Sequence, residues 1–502
     1  MKSICHSFGL MAKNIWRVEG DMQKRKFIKE FLRSVSLGAI APSELSSILF
    51  AINGASSDAV AAPDEKKPVG KPRPVDGRST SSRRGESVIV IGAGIAGLAA
   101  ANSLVREGYS VTVLESQSSV GGRLQTDRSL GVPFDRGASW IHGPNGNPLT
   151  TLASRAGAKT FETDDDNVVV YDLDGRAYSD DRISSAEDLY NDVLDRISDL
   201  GDIDDSFLDV FRKNYPGYLN DRLWKYMLSA FLEFNSGGDI SKLSSLYFDD
   251  DENFSGDDVI ITNGYDTIAK FLAKGILIVN NSRVVEVNYS DSEALVTVAG
   301  GAAYRASYVV VTVPLGVLKN NIIRFTPGLP LSKVKAVSRM GMGNVNKFLL
   351  MWDEVFWDDE LQYIGVTPDS RGKFNYFLNV NKFSQSSKSL MTFAFGDYAD
   401  VTERMSDRLV LDAIMGNLRA IYGNEIHNPR AMLRTSWRSD INSFGAYSFA
   451  ANGTSSSDFD VMAESVGNRL FFAGEHTSRK YRGTVHGAYL SGVREANKIS
   501  NL

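Results

Sequence analysis

The sequence predicts an α/β fold in which two domains are interleaved along the chain. Its 502 residues are too many for one simple core. A run of β-branched residues at 88–91 precedes a glycine-rich turn and an alanine-rich segment, the order of strand, turn and helix that opens a parallel sheet. Similar short apolar strands recur at 309–311 and 470–472, so the first domain is expected to be assembled from separated pieces.

Composition narrows the chemistry that the chain can carry out. Hydrophobic residues make up 43% and charged residues 23% of the sequence, as in an ordinary globular protein, and the formal net charge is −6. No strongly basic block follows the N-terminal segment, so nucleic acid is not an expected partner. Cys5 is the only cysteine, and the five histidines lack the spacing of metal ligands, so no metal is expected. An organic cofactor must then supply the difficult chemistry.

The N-terminal residues differ from the rest. Residues 1–61 contain a basic cluster at 24–26, a modest apolar region and a small-residue site at 59–61, and resemble a twin-arginine export signal with Lys-Arg in place of Arg-Arg. Export to the periplasm or the outside is predicted; the alternatives are an uncleaved extension of a cytoplasmic protein and a start at Met22. Residues 62–85 are rich in Pro, Lys, Arg, Ser and Gly and are predicted to be a linker.

The glycine-rich turn at residues 92–97, with the sequence GAGIAG, is the first candidate site. A buried parallel strand is predicted before it and a helix after it. In this pattern Gly92 permits the tight turn, Gly94 lets the backbone approach a pyrophosphate, and Gly97 allows the helix to pack closely on the strand. The turn therefore predicts a dinucleotide site.

A second strand and a carboxylate complete this pattern. Residues 110–114 predict the strand, and Glu115 stands at its end, where a carboxylate binds ribose hydroxyls. The stretch 88–105 carries no charge and is long enough to span a membrane, but its three glycines in a strand–turn–helix pattern argue against this. No transmembrane helix is predicted.

Residues 120–123, with the sequence VGGR, decide between NAD and FAD. FAD-dependent amine oxidases have a GGR segment at this place that wraps the pyrophosphate, so the chain resembles the flavin-containing amine oxidase superfamily. Further segments extend the resemblance to the polyamine and spermine oxidases, and part of it to the lysine-specific demethylases. They are 137–143 (GASWIHG) with Asn147 and Pro148, 259–265, 309–318, Trp437 with Asp440, Gly445 and Tyr447, and 471–477 with 483–488.

The resemblance covers about residues 86–500 and implies the amine oxidase fold. A Rossmann-like FAD-binding domain is expected from residues 86–150, 255–325 and 465–502. An interleaved α+β substrate-binding domain is expected from residues 151–254 and 326–464. The elements predicted in this second domain are helices at 186–200 and 222–234 and strands at 347–352 and 391–395, the strands roofing the flavin.

The resemblance also implies which residues contact FAD. The candidates are Gly92, Gly94, Ala96, Gly97, Glu115, Gly122, Arg123, Gly137, Ala138, Ser139, Trp140, Val284, Trp437, Gly474, Glu475, Thr484 and Val485. Glu475 is expected to meet ribityl or phosphate groups through its carboxylate or its backbone. Thr484 and Val485 are predicted to open a helix that runs to about Asn497. Its free N–H groups would point at the flavin, where negative charge develops on reduction.

Lys347 is the first predicted catalytic residue. It lies among apolar neighbours in a predicted strand, so its ammonium should be desolvated and its pKa should fall. The resemblance implies that this lysine holds a water against flavin N5 and assists the reaction with oxygen. The alternative from sequence alone is a lysine at a strand end that reaches solvent.

His142, Tyr447, Trp437 and Thr484 are the predicted substrate contacts, and His142 is also predicted to be catalytic. Spermine oxidase-like proteins have a histidine here that contacts the substrate amine; the alternative is a structural histidine. Tyr447 and Trp437 are expected to form aromatic walls against methylene groups and cations, unless they only pack the core. Thr484 replaces an aromatic residue of some polyamine oxidases, which implies a wider site. The acidic run at 249–252 either attracts cations to a channel or is a solvated loop.

The predicted reaction is oxidation of a C–N bond in a polyamine such as spermine, spermidine or an acetylated form. The resemblance implies hydride transfer to flavin N5, hydrolysis of the imine, and reduction of O2 to H2O2. A monoamine oxidase and an L-amino-acid oxidase are alternatives on the same fold, although no motif identifies an arginine for a substrate carboxylate. A non-catalytic flavin-binding protein or a chromatin protein is the alternative of another class, but the sequence lacks the long helical insertion and additional N-terminal domain of the demethylases. The oligomeric state stays open.

Overall fold

The computed structural model describes residues 86–384 and 387–502. The predicted leader (1–61) and linker (62–85) lie outside these residues, so export stays a prediction. The strands are β1 (Ser87–Ile91), β2 (Ser110–Leu114), β3 (Thr126–Asp127), β4 (Phe134–Asp135), β5 (Trp140–Ile141), β6 (Thr160–Glu162), β7 (Val168–Tyr171), β8 (Val259–Ile261), β9 (Leu277–Val279), β10 (Val284–Asn288), β11 (Ala294–Val298), β12 (Ala303–Ala306), β13 (Tyr308–Val311), β14 (Arg324–Thr326), β15 (Gly341–Met342), β16 (Val345–Met351), β17 (Tyr363–Val366), β18 (Lys373–Asn379), β19 (Ser389–Phe395), β20 (Ala431–Arg434), β21 (Ser448–Phe449) and β22 (Leu470–Phe472). The α-helices are α1 (Ile95–Arg106), α2 (Pro148–Ala156), α3 (Asp180–Leu200), α4 (Phe207–Asn214), α5 (Arg222–Met227), α6 (Phe234–Ser236), α7 (Asp266–Leu272), α8 (Leu315–Lys319), α9 (Leu331–Arg339), α10 (Gly396–Arg404), α11 (Asp407–Tyr422), α12 (Ser456–Ala463) and α13 (Val485–Ser500).

Five strands form a parallel sheet in the order β22-β13-β1-β2-β9. This parallel sheet takes strands from each of the three segments predicted to form the FAD-binding domain, although the domain boundaries themselves stay a prediction. In β1, Val88 and Val90 pack with residues of α1 and α13, whereas Ile89 and Ile91 pack with residues of a small sheet, β12-β11-β10-β14. Both faces of β1 are covered, and this explains why the strand is apolar throughout.

The carboxyl ends of neighbouring parallel strands lie along one edge of the sheet. Gly92 follows β1, Glu115 follows β2, Thr312 follows β13 and Ala473 follows β22. Motif residues that are far apart in the sequence are therefore gathered at this edge. The predicted strands at 110–114 and 470–472 coincide with β2 and β22.

A second sheet, called the mixed sheet below, has six strands in the order β20-β16-β19-β18-β17-β7. Its neighbours are antiparallel except for β17 and β7. In β16, Phe348 and Leu350 pack with residues of α11, while Val345 and Leu349 pack in the cluster that contains Trp437. Side chains two residues apart share a face of a strand, so Lys347 lies on the face of Val345 and Leu349.

Both predicted helices of the second domain are present. The first lies within α3, and the second consists of α5, a π-helical turn at Leu228–Glu233 and the start of α6. The apolar faces of α3, α4 and α5 pack together as one cluster. Across residues 86–384 and 387–502, no helix combines the length and apolar character needed to cross a bilayer.

Candidate functional site

The glycine-rich turn borders open space at the start of α1. Gly94 is the N-cap residue of α1, and a Cβ added to it would have no atom within 4 Å. By contrast, a Cβ on Gly97 would lie 2.0 Å from the carbonyl oxygen of Gly92. The fold thus requires glycine at position 97 for close packing, whereas glycine at position 94 leaves a space beside a helix N-terminus.

Glu115 and the VGGR segment close around the same turn. The Glu115 carboxylate accepts a hydrogen bond of 2.6 Å from Ala93 N–H. Gly121 N–H donates to the Ala93 carbonyl at 2.9 Å, and a Cβ on Gly122 would come within 3.4 Å of Gly94 Cα. The first turn of α1 carries no acidic residue. The N–H groups at the start of α1 can donate to a pyrophosphate, and the Glu115 carboxylate can accept from ribose hydroxyls. With the open space beside Gly94, these residues fit FAD.

Arg123 and Glu475 join the first and last motifs. Arg123 Nη1 lies 2.9 Å from Glu475 Oε1 and also donates to the Ala446 carbonyl at 2.7 Å. Glu475 Oε2 accepts hydrogen bonds from Ser448 Oγ at 2.5 Å and from Gly483 N–H at 3.0 Å. Burial alone would raise the pKa of Glu475, but Arg123 holds it below its ordinary value. The carboxylate of Glu475 is therefore engaged by protein groups on both oxygens.

Lys347 is buried on the face of the mixed sheet that meets the GASW segment. Its side chain donates to Asp135 O at 3.1 Å, Gly137 O at 2.5 Å and Ser139 Oγ at 2.5 Å, and the residue is 5% exposed. Burial lowers the pKa of Lys347 to about 8, although the charge of Asp135 opposes the shift. The predicted desolvation is confirmed, and the alternative of a lysine that reaches solvent is wrong.

The hydrogen bonds of the Lys347 ammonium bear on the prediction that this lysine holds a water. Its three hydrogen bonds go to residues 135–139, so a water held by Lys347 would have to replace one of them. Ser139 and Gly137 therefore act first as acceptors for the lysine. Lys347 Nζ also lies 5.5 Å from the centroid of the Trp140 ring, which places the cation beside the indole.

Trp140 is one member of an aromatic wall that also contains Phe234, Tyr376 and Phe393. The Trp140 ring centroid lies 6.4 Å from those of Phe234 and Phe393, and Phe234 lies 5.0 Å from Phe393 and 6.3 Å from Tyr376. The three partners come from α6, β18 and β19, and none of them was a predicted site residue. Phe393 could have been found from the predicted strand at 391–395, but Phe234 and Tyr376 belong to no motif.

Tyr447 and Trp437 pack in the same apolar cluster as Trp140 and Phe393. The Tyr447 hydroxyl donates to the Phe234 carbonyl, and burial raises its pKa. Trp437 Nε1 donates to the carbonyl of Arg136 at 3.0 Å. Their polar atoms are thus engaged by the backbone, and only the rings remain to contact a ligand.

The side chains of three predicted ligand contacts have structural roles in the fold: Thr484, Val485 and Val284. The Thr484 hydroxyl caps α13 by accepting from Gly487 N–H at 3.0 Å, and it donates to the Tyr481 carbonyl at 2.8 Å. Val485 packs against the core of the parallel sheet, and Val284 is 3% exposed in the core between that sheet and the small sheet. The predicted helix start at Thr484 and Val485 is confirmed, and the helix ends at Ser500.

His142 stands two residues after Trp140 and keeps 55% of its side chain exposed. Its Nδ1 lies 2.5 Å from Asp258 Oδ2. Desolvation by the surrounding protein opposes protonation although the ring is partly exposed, but the hydrogen bond and charge of Asp258, with the charge of Asp165, raise the pKa of His142, while Lys347 lowers it. Asp258 was missed because it belongs to no motif; it directly precedes β8.

The acidic run at 249–252 is held by a cation from the C-terminal motif. Arg482 is 6% exposed, pairs with Asp250, and lies 2.9 Å from Asp251. The guanidinium also donates to the carbonyl of Tyr247 at 2.9 Å. Two of the run's carboxylates therefore share one buried guanidinium, while Asp249 and Glu252 are exposed.

Asn147 connects the site to α2. Its replacement, Asn147→Ala, is expected to lower the free energy of unfolding by about 1–2 kcal/mol. Its side chain caps α2 by accepting from Leu149 N–H at 3.0 Å, and it donates to the His142 carbonyl at 2.9 Å. Urea denaturation of the variant and wild type measures the difference. Asn147→Asp keeps the cap acceptor and should recover most of the loss; an unchanged unfolding midpoint in Asn147→Ala would contradict the assigned cap.

Comparison with known proteins identifies the class to which this fold and site belong. The family model described as flavin containing amine oxidoreductase matches residues 95–500. The chain belongs to this family. It is an FAD-containing oxidoreductase of the amine oxidase class, with the mixed α/β architecture expected of that fold.

Individual relatives fall into two groups. The chain is 36% identical over 441 residues to "Lysine-specific histone demethylase 1 homolog 2" of Arabidopsis thaliana, a match that covers 83% of this chain and 58% of that protein. It is 35% identical over 435 residues to "Polyamine oxidase 4" of Oryza sativa subsp. japonica, covering 82% of this chain and 88% of that protein. "Probable polyamine oxidase 4" of Arabidopsis thaliana is 33% identical over 428 residues, covering 81% and 85%. The chain therefore spans little more than half of the demethylase relative, and identity alone does not separate the two groups.

Proposed function

We propose that this protein oxidises a C–N bond of a small polyamine, with O2 as the final electron acceptor. The observation that carries the proposal is the aromatic wall around Trp140 together with the His142–Asp258 pair, which follows Trp140 by two residues along the same side of the chain. Aromatic faces bind both methylene groups and cations, and a carboxylate–imidazole pair handles the proton of an ammonium group. The near-complete coverage of the rice polyamine oxidase supports the same assignment.

The cofactor is proposed to lie along the carboxyl edge of the parallel sheet, as in a Rossmann-like domain. The space beside Gly94 and the N–H groups of α1 would receive the pyrophosphate, and Glu115 would bind ribose hydroxyls. Arg123 and the N-terminus of α13 would face the flavin ring of the cofactor. When bound, FAD supplies the hydride acceptor for the oxidation.

The protein's own residues prepare the substrate. Trp140 would pack against its methylene groups, supported from behind by the fully buried ring of Phe393, and would exclude water from the reacting carbon. His142 would take the proton from the substrate ammonium, so that the nitrogen lone pair is free. Lys347 bonds to residues 135–139 and would supply a cation where oxygen reduction builds negative charge.

A substrate screen tests the proposal. Purified holoenzyme is given spermine, spermidine, their acetylated forms, monoamines, L-amino acids and a dimethyl-lysine H3 peptide, and hydrogen peroxide is measured by a coupled peroxidase assay. We expect a polyamine to give a kcat/KM at least about tenfold above every monoamine, because cation and methylene contacts add to binding. Turnover of the methylated peptide alone would assign the demethylase reaction, and flavin-loaded protein that oxidises no amine would assign a non-catalytic role.

A further inference from the structure

We propose that Asp258 is a positioning residue that holds His142 as a proton acceptor for the substrate. Asp258 accepts the Nδ1–H of His142, so that the Nε2 lone pair is directed to the substrate side of the aromatic wall. This inference rests on the proposed function, because it requires a substrate that arrives as an ammonium ion. It adds the group that sets the tautomer and orientation of the imidazole.

The strand register brings the two residues together. Trp140 pairs with Ile260 and Ile141 with Val259 in the antiparallel ladder of β5 and β8. One step further along this ladder, His142 lies opposite Asp258, and the two meet at 2.5 Å between Nδ1 and Oδ2. Since side chains alternate, His142 lies on the side of Trp140, whereas Ile141 is buried in the core of the parallel sheet.

Asp258 is itself fixed before any ligand binds. Its second carboxylate oxygen, Oδ1, accepts from Gly143 N–H at 3.0 Å. Its carbonyl accepts from Thr163, from N–H at 2.8 Å and from Oγ1 at 3.0 Å. Because both carboxylate oxygens of Asp258 are already hydrogen-bonded, Asp258 needs no rearrangement to orient the imidazole. A preorganised carboxylate of this kind assists a histidine base.

The proton transfer balances without any further reactant. The N–H bond of the substrate ammonium breaks, a bond from hydrogen to His142 Nε2 forms, and the electron pair stays on the amine nitrogen. Asp258 stabilises the resulting imidazolium, as a carboxylate does in a histidine–carboxylate pair.

Four other charged or titratable groups set the electrostatics around His142. Asp258 precedes β8 and Asp165 follows β6, and both raise the pKa of His142 against the effect of burial, whereas Lys347 on β16 lowers it. His486 on α13 also faces His142, and burial lowers the pKa of His486 to about 4, so it is neutral at pH 7. Removal of the Asp258 charge should therefore lower the pKa of His142.

The test compares Asp258→Asn holoenzyme with wild type. Anaerobic reduction by the most active amine is followed as a function of pH, and histidine side chains labelled with ¹³C are titrated by NMR, with the His142 signal assigned from His142→Gln. The limiting reduction rate should fall about 10- to 100-fold. The acid limb of the profile and the NMR midpoint of His142 should both move to lower pH. Glu162→Gln is the control: it removes an exposed negative charge from β6 and should leave both quantities unchanged.

Asp258→Glu provides a second variant in case the asparagine variant loses FAD. It keeps the charge but lengthens the side chain, so the NMR midpoint should stay raised while the reduction rate falls. Wild-type rate and pH profile in Asp258→Asn, with an unchanged His142 midpoint, would overturn the inference. If no amine reduces the wild type, the proposed function fails, but the NMR titration still decides whether Asp258 controls His142.

Discussion

Lys347→Met is expected to retain the fold and FAD but to react with oxygen about a hundredfold or more slowly than wild type. The ammonium of Lys347 lies in a buried site beside Trp140 and is held by residues 135–139. Oxygen reduction builds negative charge, and a preorganised cation in a site without water lowers that barrier. Methionine keeps the unbranched shape and removes the charge.

Stopped-flow measurement of the two half-reactions checks this prediction. Lys333→Met is a matched control, since Lys333 is 1% exposed, donates to the Val461 and Met462 carbonyls, and has a pKa that burial lowers to about 8. Both variants lose a buried cation, but only Lys347→Met should slow the oxygen reaction. If reduced Lys347→Met enzyme reacts with oxygen at the wild-type rate, Lys347 is not part of the site.

The depressed pKa of Lys347 also predicts a pH dependence of stability. In the unfolded chain the lysine keeps its proton up to about pH 10.5, whereas in the folded protein it loses the proton near pH 8. Between these values the unfolded state binds more protons, so the free energy of unfolding should rise with pH by the Lys347 contribution. Lys347→Met should show a smaller rise than wild type, since only the Lys333 contribution of this kind remains, and urea denaturation at pH 7.5 and pH 9.5 can detect the difference.

Gly94→Val is expected to give folded protein that has lost FAD. A Cβ at this position meets no protein atom within 4 Å, so the fold itself accommodates a side chain. The same space is where the pyrophosphate is proposed to approach the backbone, and a branched Cβ would occupy it. Retention should fall to about a few per cent of wild type or less, because the side chain would stand between the phosphates and the N–H groups of α1.

The ratio of flavin to protein absorbance, with circular dichroism as the check of folding, measures this effect. Gly97→Ala is the contrasting variant: its Cβ would lie 2.0 Å from the Gly92 carbonyl oxygen, so it should fail to fold rather than fold without flavin. A Gly94→Val protein with full flavin content would show that the pyrophosphate does not lie at this turn.

The local motifs could be predicted from the sequence because each depends on neighbouring residues. Gly94 and Gly97 are defined by one turn, and the alternation around Lys347 places that residue on one face of β16. The pairing of His142 with Asp258 joins residues 116 positions apart through a strand register that no local pattern encodes. Arg482 and the acidic run are a similar case, because their ion pair connects segments more than 200 residues apart.

The functions of some predicted residues depend on contacts that the sequence does not display. The hydroxyl of Thr484 caps α13, so a ligand contact of Thr484, which stays a prediction, would use its backbone or methyl group. Glu475 was expected to meet FAD through carboxylate or backbone, and its carboxylate instead joins Arg123 to Ser448. In both cases a nearby protein group satisfies the polar atom. Whether a protein group or a ligand binds such an atom is decided only when the elements pack.

Anaerobic addition of spermine to the purified holoenzyme tests the central claim most directly. If the aromatic wall and His142 bind and deprotonate a polyamine, the visible absorbance of oxidised flavin should be lost in a single turnover, and it should return when air is admitted. A flavin that stays oxidised with spermine and spermidine, while a methylated lysine peptide or a monoamine reduces it, would contradict the assignment to polyamines.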